Sequence, residues 1–261
     1  MPESRKKLGT GFFYMYRFEG DVSVPVIVTN RHVLVDTDSV TFRVNKADNH
    51  GQPILGDTLT VSLHWGQAGW IAHPDSDVDL AIIPIAAVLS DIQRSGSKPF
   101  LVYLESSLIP SMQLWNQLTP IEDVIMIGYP IGISDEVNNL PTVRKGITAT
   151  HPGINFNGKQ QFLIDVAVFP GSSGSPVFIL NEGSYPIQGG IAIGSRLLLL
   201  GIAYAYYYRE GNRAIINEIP TQQEPSGNIQ IPINLGCAIK STRLSEFEPT
   251  LAKLVRSRQS G

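Results

Sequence analysis

Short apolar stretches, separated by Gly, Pro and polar residues, run along most of this 261-residue chain, and few of them have a helical period. In the first half, β-branched or alternating stretches that are typical of strands lie at 9–16, 22–29, 39–44, 58–63 and 80–83. The second half has further stretches of this kind at 123–132, 142–150, 162–169, 175–180, 197–207 and 229–239. The first two stretches are expected to pair as a hairpin. The pattern therefore predicts an all-β fold with few helices.

The boundaries between the parts of the chain are predicted where this strand pattern stops. Residues 106–120 contain Pro110 and Pro120 and show no period, so they predict a linker between two lobes, 8–105 and 121–241. Residues 242–257 place apolar side chains at helical spacing around Pro249 and predict one broken or two short helices. Three smaller predictions are a polar loop at 45–56, a helical turn at 85–95 and a long loop at 209–228, whose length points to a function. We treat 1–261 as one domain.

Composition narrows the classes of function. Charged residues make up 16% of the chain and the formal net charge is −3, without a long basic run, which argues against nucleic acid as a partner. The single cysteine, Cys237, permits no intramolecular disulfide and fits a reducing compartment. No apolar run is long enough to span a membrane, and the residues before Gly9 form no apolar leader. A cytoplasmic protein without membrane contact is therefore expected.

A tight turn of small residues, 170–175, lies between two apolar stretches and places Ser173 at its centre. One interpretation is a structural turn whose serines hydrogen-bond the local backbone. The other is a nucleophile, with the N–H groups of Gly171 and Ser173 directed at a developing oxyanion. The second interpretation requires a histidine and a carboxylate elsewhere in the chain.

Two other residues at strand ends provide these groups. His32 comes just after the strand at 22–29, and Asp79 comes just before the buried strand at 80–83, where a carboxylate needs a partner. Asp75 and Asp77 are more simply interpreted as loop and turn acids. All five histidines precede Ser173, which excludes the α/β-hydrolase order of catalytic residues. The order His, Asp, Ser is that of the chymotrypsin type.

Three segments resemble, in order, the histidine, aspartate and serine motifs of trypsin-like serine proteases: Thr29-Asn30-Arg31-His32-Val33, Asp79-Leu80-Ala81-Ile82 and Gly171-Ser172-Ser173-Gly174-Ser175-Pro176. The chain is most similar to the catalytic domain of the bacterial HtrA type, with further likeness at 127–132, 145–147 and 235–239. The likeness spans about residues 9–245. It implies two six-stranded antiparallel β-barrels with a short C-terminal helix. It also implies a serine endopeptidase that needs no metal or cofactor.

The resemblance assigns roles to the residues of the site. It makes Ser173 the nucleophile, His32 the general base and Asp79 the residue that orients the base. The oxyanion hole is assigned to the N–H groups of Gly171, Ser172 and Ser173. The substrate pocket is assigned to Ala167, Tyr204, Ala205, Tyr206 and Gly236. Because no charge stands at Ala167, the expected preference is for a small or medium apolar residue. The aromatic run at 203–208 also fits a strand with one aromatic face in the core.

Two residues of the serine motif depart from the secreted enzymes. Ser172 replaces the aspartate that binds a newly cut N-terminus, so competence is expected to come from the fold, an assembly or a partner. Ser175 replaces the second glycine and adds a side chain beside the nucleophile. HtrA-type proteins usually carry a peptide-binding PDZ domain after the protease, and this chain shows none, so targeting is expected to come from surface loops or another protein.

Three functions are weighed. The first is an intracellular serine endopeptidase that cleaves a limited set of protein or peptide substrates and is regulated by a protein partner or by self-assembly. The second is a catalytically silent scaffold that binds a partner through the loop at 209–228. The third, a nucleophile at Cys237, has little support, because an apolar strand surrounds that residue and no histidine is near in sequence.

Overall fold

The computed structural model describes residues 7–65, 69–187, 189–210, 213–221 and 231–259. The chain divides into two compact units. The first unit comprises the described residues of 11–106, 134–141 and 244–261, and the second comprises those of 1–10, 107–133 and 142–243. No helix among the described residues is long and apolar enough to cross a membrane.

Six strands form the sheets of the first unit, as far as its residues are described: β1 (Phe12–Arg17), β2 (Ser23–Thr29), β3 (Ser39–Ala47), β4 (Pro53–His64), β5 (Ile71–Ala72) and β6 (Ala81–Pro84). Its helices are α1 (Arg31–Leu34), α2 (Ala86–Arg94) and α4 (Glu248–Gln259). The predicted hairpin is confirmed, because β1 and β2 pair antiparallel with Phe12 opposite Val28. The helical turn expected at 85–95 corresponds to α2.

The six strands of the first unit lie in two sheets. One sheet has the order β1-β2-β6-β5, and β3 pairs only with β4 within the described chain. This half is mostly β, as predicted, and within its described residues no ladder joins the two sheets into the closed six-stranded barrel that was expected. A core cluster that includes Ile27, Leu34, Leu63 and Ile83 fills this unit.

The second unit contains the remaining strands: β7 (Asp123–Gly128), β8 (Thr142–Thr148), β9 (Gln161–Asp165), β10 (Pro176–Asn181), β11 (Ser184–Ile187), β12 (Gly190–Ile193), β13 (Arg196–Glu210), β14 (Arg213–Glu218) and β15 (Ile231–Lys240). Six of these strands close into a barrel in the order β10-β7-β8-β9-β15-β13, because β13 also pairs with β10. This barrel is the predicted one. Its interior holds Met126, Phe162, Ile164 and Val177, which are fully buried.

Two hairpins of the second unit differ from the sequence-based expectation. The strands β11 and β12 pair with each other between the predicted strands at 175–180 and 197–207, where no strand was predicted. The predicted loop at 209–228 is wrong over its first part, because β13 extends to Glu210 and Arg213–Glu218 forms β14 against it. Residues 211–212 and 222–228 of that loop lie outside the described residues.

The predicted linker and C-terminal segment contain helices. Residues 106–120 hold a 3-10 turn, Ser106–Leu108, and α3, Met112–Gln117, whose Trp115 is buried in the core of the second unit. A 3-10 helix, Ser241–Phe247, precedes α4. Pro249 lies in the first turn of α4, where a missing N–H costs no helical hydrogen bond. The C-terminal segment is thus one 3-10 helix followed by one α-helix.

Candidate active site

His32 and Asp79 meet because β2 and β6 are antiparallel neighbours. Thr29, the last residue of β2, lies opposite Ala81, the first residue of β6. The chain leaving β2 and the chain entering β6 are therefore at the same end of the sheet. His32 follows β2 by three residues in α1, and Asp79 precedes β6 by two residues.

Both carboxylate oxygens of Asp79 hold His32. Oδ1 accepts the backbone N–H of His32 at 2.9 Å, and Oδ2 lies 2.5 Å from Nδ1 of the ring. The side chains are 13% exposed for His32 and 7% for Asp79. The Asn30 amide donates to the Asp79 carbonyl oxygen at 2.7 Å and fixes the loop. With Asp79 ionised, the ring proton belongs on Nδ1, which leaves Nε2 as the basic nitrogen.

Asp75, Asp77 and His73, which precede Asp79 in the chain, have structural roles. Oδ1 of Asp75 accepts the N–H of Asp77 at 3.0 Å in the turn before Asp79, and both acids are exposed. The buried His73 ring accepts the N–H of Asp75 at 3.1 Å and packs edge-on against Phe247. These contacts agree with the interpretation of Asp75 and Asp77 as loop acids.

Ser173 lies in a buried turn of the second unit. Gly171 and Gly174 adopt φ values of +87° and +85°, in the left-handed region that favours glycine. A Cβ on Gly171 would lie 2.5 Å from the carbonyl oxygen of Tyr129, so only glycine fits there. The N–H of Gly174 donates to the Ala203 carbonyl oxygen at 2.9 Å and ties the turn to β13. The Ser173 hydroxyl donates to the carbonyl oxygen of Ile219 at 3.1 Å.

Thr10 supports this turn from far away in the sequence. Its N–H donates to the Ser173 carbonyl oxygen at 2.7 Å, and its hydroxyl donates to the Gly171 carbonyl oxygen at 2.9 Å. The same hydroxyl accepts the N–H of Tyr129 at 3.1 Å. Nothing in the local pattern around Gly9-Thr10-Gly11 indicated this role.

Arg144 of β8 is a second residue that the sequence did not single out. Its Nη1 donates to the Ala167 carbonyl oxygen at 2.7 Å and to the Ser172 hydroxyl at 2.9 Å. Its buried Nε and Nη2 have no hydrogen-bond partner among the described residues. Burial lowers the pKa of the guanidinium to about 10, so Arg144 is charged at neutral pH. A cation thus lies at Ala167, where the sequence predicted an uncharged pocket base.

Two of the three assigned oxyanion donors are engaged by backbone carbonyls. The N–H of Gly171 donates to the Pro220 carbonyl oxygen at 3.3 Å. The N–H of Ser172 donates to Phe169 within the turn at 3.0 Å. In this conformation neither group is directed at a substrate position.

Four of the residues assigned to the substrate pocket belong to strands: three to β13 and Gly236 to β15. Ala205 and Tyr206 are 1% and 6% exposed on β13. The Tyr204 hydroxyl donates to Oε1 of Gln161 at 2.5 Å. Gly236 of β15 faces the core, since a Cβ there would lie 2.7 Å from Cγ2 of Val168. The core packing of Tyr206 agrees with the interpretation of 203–208 as an aromatic strand.

Gly128 makes room for the side chain of Ser175. Ser175 is fully buried, and its Oγ would lie 2.1 Å from a Cβ built on Gly128. Oγ1 of Thr10 would lie 2.7 Å from the same atom. The serine that replaces the second glycine of the motif is therefore accommodated by a glycine on β7.

This contact predicts a paired stability effect. Gly128→Ala is expected to lower the free energy of unfolding by about 1–3 kcal/mol through overpacking. Adding Ser175→Gly should recover part of the loss, because it removes the closest clashing atom. Gly190→Ala is the matched control, since its Cβ would meet nothing within 4 Å. Chemical denaturation measures all four proteins, and equal losses for the Gly128 and Gly190 variants would contradict the packing argument.

Cys237 is unsuited to be a nucleophile. It is fully buried on β15, and its thiol lies 3.6 Å from the Tyr204 hydroxyl. Burial raises the pKa of the thiol to about 11, against the opposing effect of that hydrogen bond. Since the thiolate is the reactive form, the thiol is inert at neutral pH.

The native thiol is accordingly expected to resist alkylation. The raised pKa lowers the thiolate fraction about 100-fold, and burial adds a steric barrier. Iodoacetamide at pH 7.5 should leave the folded protein unmodified and should alkylate Cys237 after unfolding in guanidinium chloride, as measured by intact mass. Rapid alkylation of the folded protein would restore Cys237 as a candidate nucleophile.

The predicted site residues fall into two groups. His32 and Asp79 are in contact in the first unit, and the turn with Gly171, Ser172 and Ser173 belongs to the second unit. The structure thus shows the His32–Asp79 contact and, separately, a turn whose Gly171 and Ser172 N–H groups are engaged by backbone carbonyls.

Comparison with known families agrees with the three motifs. The family model described as "Trypsin-like peptidase domain" matches residues 9–184, a span that includes His32, Asp79 and Ser173. No curated protein matches this sequence. Because the matched span exceeds half of the 261 residues, the chain belongs to the trypsin-like peptidase family.

Proposed function

We propose that the protein is a serine endopeptidase whose catalytic triad is Ser173, His32 and Asp79. The observation that carries the proposal is the double contact between Asp79 and His32. One carboxylate oxygen accepts the backbone N–H of His32, and the other contacts Nδ1 of its ring. Such a double contact fixes the orientation and the tautomer of the ring, which a general base requires. Membership of the family supports the same reaction class.

The proposed reaction proceeds through an acyl-enzyme. Oγ of Ser173 attacks the carbonyl carbon of the substrate peptide, and its proton passes to Nε2 of His32. The N–H groups of the turn stabilise the oxyanion, and Asp79 stabilises the charged imidazole. The proton then moves to the leaving amine as the C–N bond breaks. Water, deprotonated by His32, attacks the ester carbonyl carbon; the bond to Oγ breaks, the acid leaves and the proton returns from His32 to Ser173.

The finer parts of the proposal concern targets and setting. We propose an HtrA-like enzyme in the cytoplasm that cleaves a limited set of protein substrates and is regulated by a protein partner or by self-assembly. The one cysteine of the chain is a buried free thiol, which supports a reducing compartment. The contact of Arg144 with the Ser172 hydroxyl supports a turn that is held by the fold itself, without a newly cut N-terminus.

Covalent labelling tests the proposal. A fluorophosphonate probe should react at Oγ of Ser173 with loss of fluoride during prolonged incubation, and peptide mass mapping should locate the adduct there. Ser173→Ala should remove the label, whereas Ser175→Ala, which changes another buried serine of the same turn, should keep it. A folded protein that never labels although the turn is open to the probe would contradict the proposal and favour a silent scaffold.

Arg144 is expected to act as a positioning residue. Arg144→Met should lower kcat about 100-fold, because the turn loses the donor that holds Ser172 and Ala167 and its nucleophile shifts. The free energy of unfolding should change little, since two of the three guanidinium nitrogens are buried without partners. Arg144→Lys, which keeps the charge, should recover part of the rate. An equal loss of stability and rate in both variants would contradict a positioning role.

A further inference from the structure

The chain places one of its own segments on the nucleophile turn of the second unit. β14 runs antiparallel to β13, with Glu218 opposite Ala205, and the pairing continues where the N–H of Ile219 donates to the Tyr204 carbonyl oxygen at 2.9 Å. The next residues cross the turn. We call residues 218–221 the occupying segment.

Two consecutive carbonyl groups of this segment engage the turn. The Ile219 carbonyl oxygen accepts the Ser173 hydroxyl at 3.1 Å, and the Pro220 carbonyl oxygen accepts the N–H of Gly171 at 3.3 Å. A carbonyl oxygen can only accept, so in this contact the Ser173 hydroxyl proton is directed at Ile219. The Gly171 N–H is likewise committed and is not available to an oxyanion.

The arrangement is not one in which the segment is cleaved. Attack requires the nucleophile and the oxyanion donors to converge on one carbonyl group. Here the Ser173 hydroxyl contacts the carbonyl of Ile219, while Gly171 contacts that of Pro220. The segment therefore fills the place of a substrate carbonyl without being set up for hydrolysis.

One side chain anchors the occupying segment. Ile219 is 1% exposed and belongs to the core cluster of the second unit, whereas five of the six residues of β14 are exposed and the sixth is half-buried. The carbonyl oxygen of Thr221 accepts the N–H of Leu8 at 2.7 Å and holds the other end. β14 itself is an edge strand with mostly exposed side chains, and only its half-buried Ile215 packs against the core. Such a strand belongs to the low-stability end of a fold, so it opens locally.

We propose that the occupying segment is an intramolecular inhibitor of the active site. It competes with substrate for Ser173 and the Gly171 N–H, and it must move away before a peptide carbonyl is attacked. The inhibition rests on the proposed function, since it needs Ser173 to be the nucleophile. The observed activity then scales with the fraction of molecules in which the segment is displaced.

Releasing the anchor tests the inhibition. Ile219→Asp places a charge in the core position and should expel the segment, so the rate of fluorophosphonate labelling should rise about 10-fold or more over wild type. Ile216→Asp is the matched control: it makes the same change on β14 at a side chain that is 40% exposed, and its labelling rate should equal that of wild type. Thermal denaturation shows whether both variants are folded.

A reversible disulfide between β13 and β14 tests the opposite effect, in which the occupying segment is held in place. This test does not depend on Ile219→Asp. Ile219 donates to Tyr204, so these two residues form a hydrogen-bonded pair. Hydrogen-bonded and non-hydrogen-bonded pairs alternate along an antiparallel ladder, so Tyr207 and Ile216, three positions further on, form a non-hydrogen-bonded pair with closely spaced Cα atoms. Such spacing suits a disulfide. Tyr207→Cys with Ile216→Cys, in a Cys237→Ala background, should label about 10-fold more slowly when oxidised than when reduced. The Cys237→Ala protein alone should not respond to reductant.

The outcomes separate the inhibition from the proposed function. Equal labelling of wild type and a folded Ile219→Asp variant, or equal labelling of the oxidised and reduced disulfide variant, overturns the inhibition and leaves the nucleophile standing. Hydrogen exchange shows whether the proposed function itself fails. If the amides of Ile219 and Gly171 are protected in wild type and exchange freely in the Ile219→Asp variant, yet neither protein labels, Ser173 is not a nucleophile. In that case the proposed function fails and the inhibition with it.

Discussion

Ser173→Ala is expected to lower kcat for peptide hydrolysis by about 10⁴-fold or more while the protein stays folded. The loss is large because the proposed nucleophile is removed, so only transition-state binding by the site remains. The change in stability should be small. The Ser173 hydroxyl donates to the Ile219 carbonyl oxygen, and losing this buried hydrogen bond costs about 1 kcal/mol. Initial rates on a fluorogenic peptide and thermal denaturation measure the two effects.

Ser175→Ala is the matched control for this prediction. Ser175 is as buried as Ser173 and lies two residues away, but its Oγ has no hydrogen-bond partner within the described part of the chain. Removing that oxygen should leave kcat unchanged and should keep or raise the free energy of unfolding. Turnover that survives in the Ser173→Ala protein, or that is lost in the Ser175→Ala protein, would contradict the assignment of Ser173.

The barrel of the second unit was predictable because most of its strands contain buried, β-branched side chains. The apolar stretches at 123–132, 142–150 and 162–169 correspond to β7, β8 and β9, each of which ends a few residues earlier than expected. Strand ends depend on where pairing stops, which the pattern along one strand does not report. The closure of the barrel through β10 and β13 came from the family resemblance.

The exposed strands were harder to predict. β4 extends back to Pro53 into a stretch that was expected to be a loop, and its first eight residues are all exposed or half-buried. β14 was not predicted for the same reason, since most of its side chains are exposed and its pairing with β13 specifies it. Where no face is buried, the sequence carries no alternation, and the partner strand decides the structure.

The predictability of the site divides in a similar way. His32 and Asp79 could be paired because each adjoins a strand of recognisable pattern, and those strands are neighbours. Thr10 reaches the turn across 161 residues of sequence, so no local spacing reports it. Arg144 stands next to Lys145 in β8, and two adjacent cations do not show which of them points inward. Contacts of this kind become visible only in the folded chain.

Asp79→Asn is expected to lower kcat by about 10⁴-fold near neutral pH. Asp79 uses one oxygen for the backbone N–H of His32 and the other for the ring Nδ1. An asparagine has one acceptor oxygen, so keeping the backbone contact places its NH₂ group against Nδ1. The ring must then carry its proton on Nε2, and the nitrogen that should take the proton of Ser173 is no longer a base.

The matched control for this variant is Asp77→Asn. Asp77 is an exposed turn acid two residues before Asp79, so the same chemical change there should leave kcat as in wild type. The fluorophosphonate labelling rate should fall with kcat in the Asp79 variant, whereas KM should change little, because Asp79 is assigned to orient the base and not to bind substrate. A large rise in KM with unchanged kcat would instead mean that Asp79 supports substrate binding. Equal effects of the two substitutions would mean that only the net negative charge of this loop matters, and the Asp79 contact with His32 would lose its assigned role.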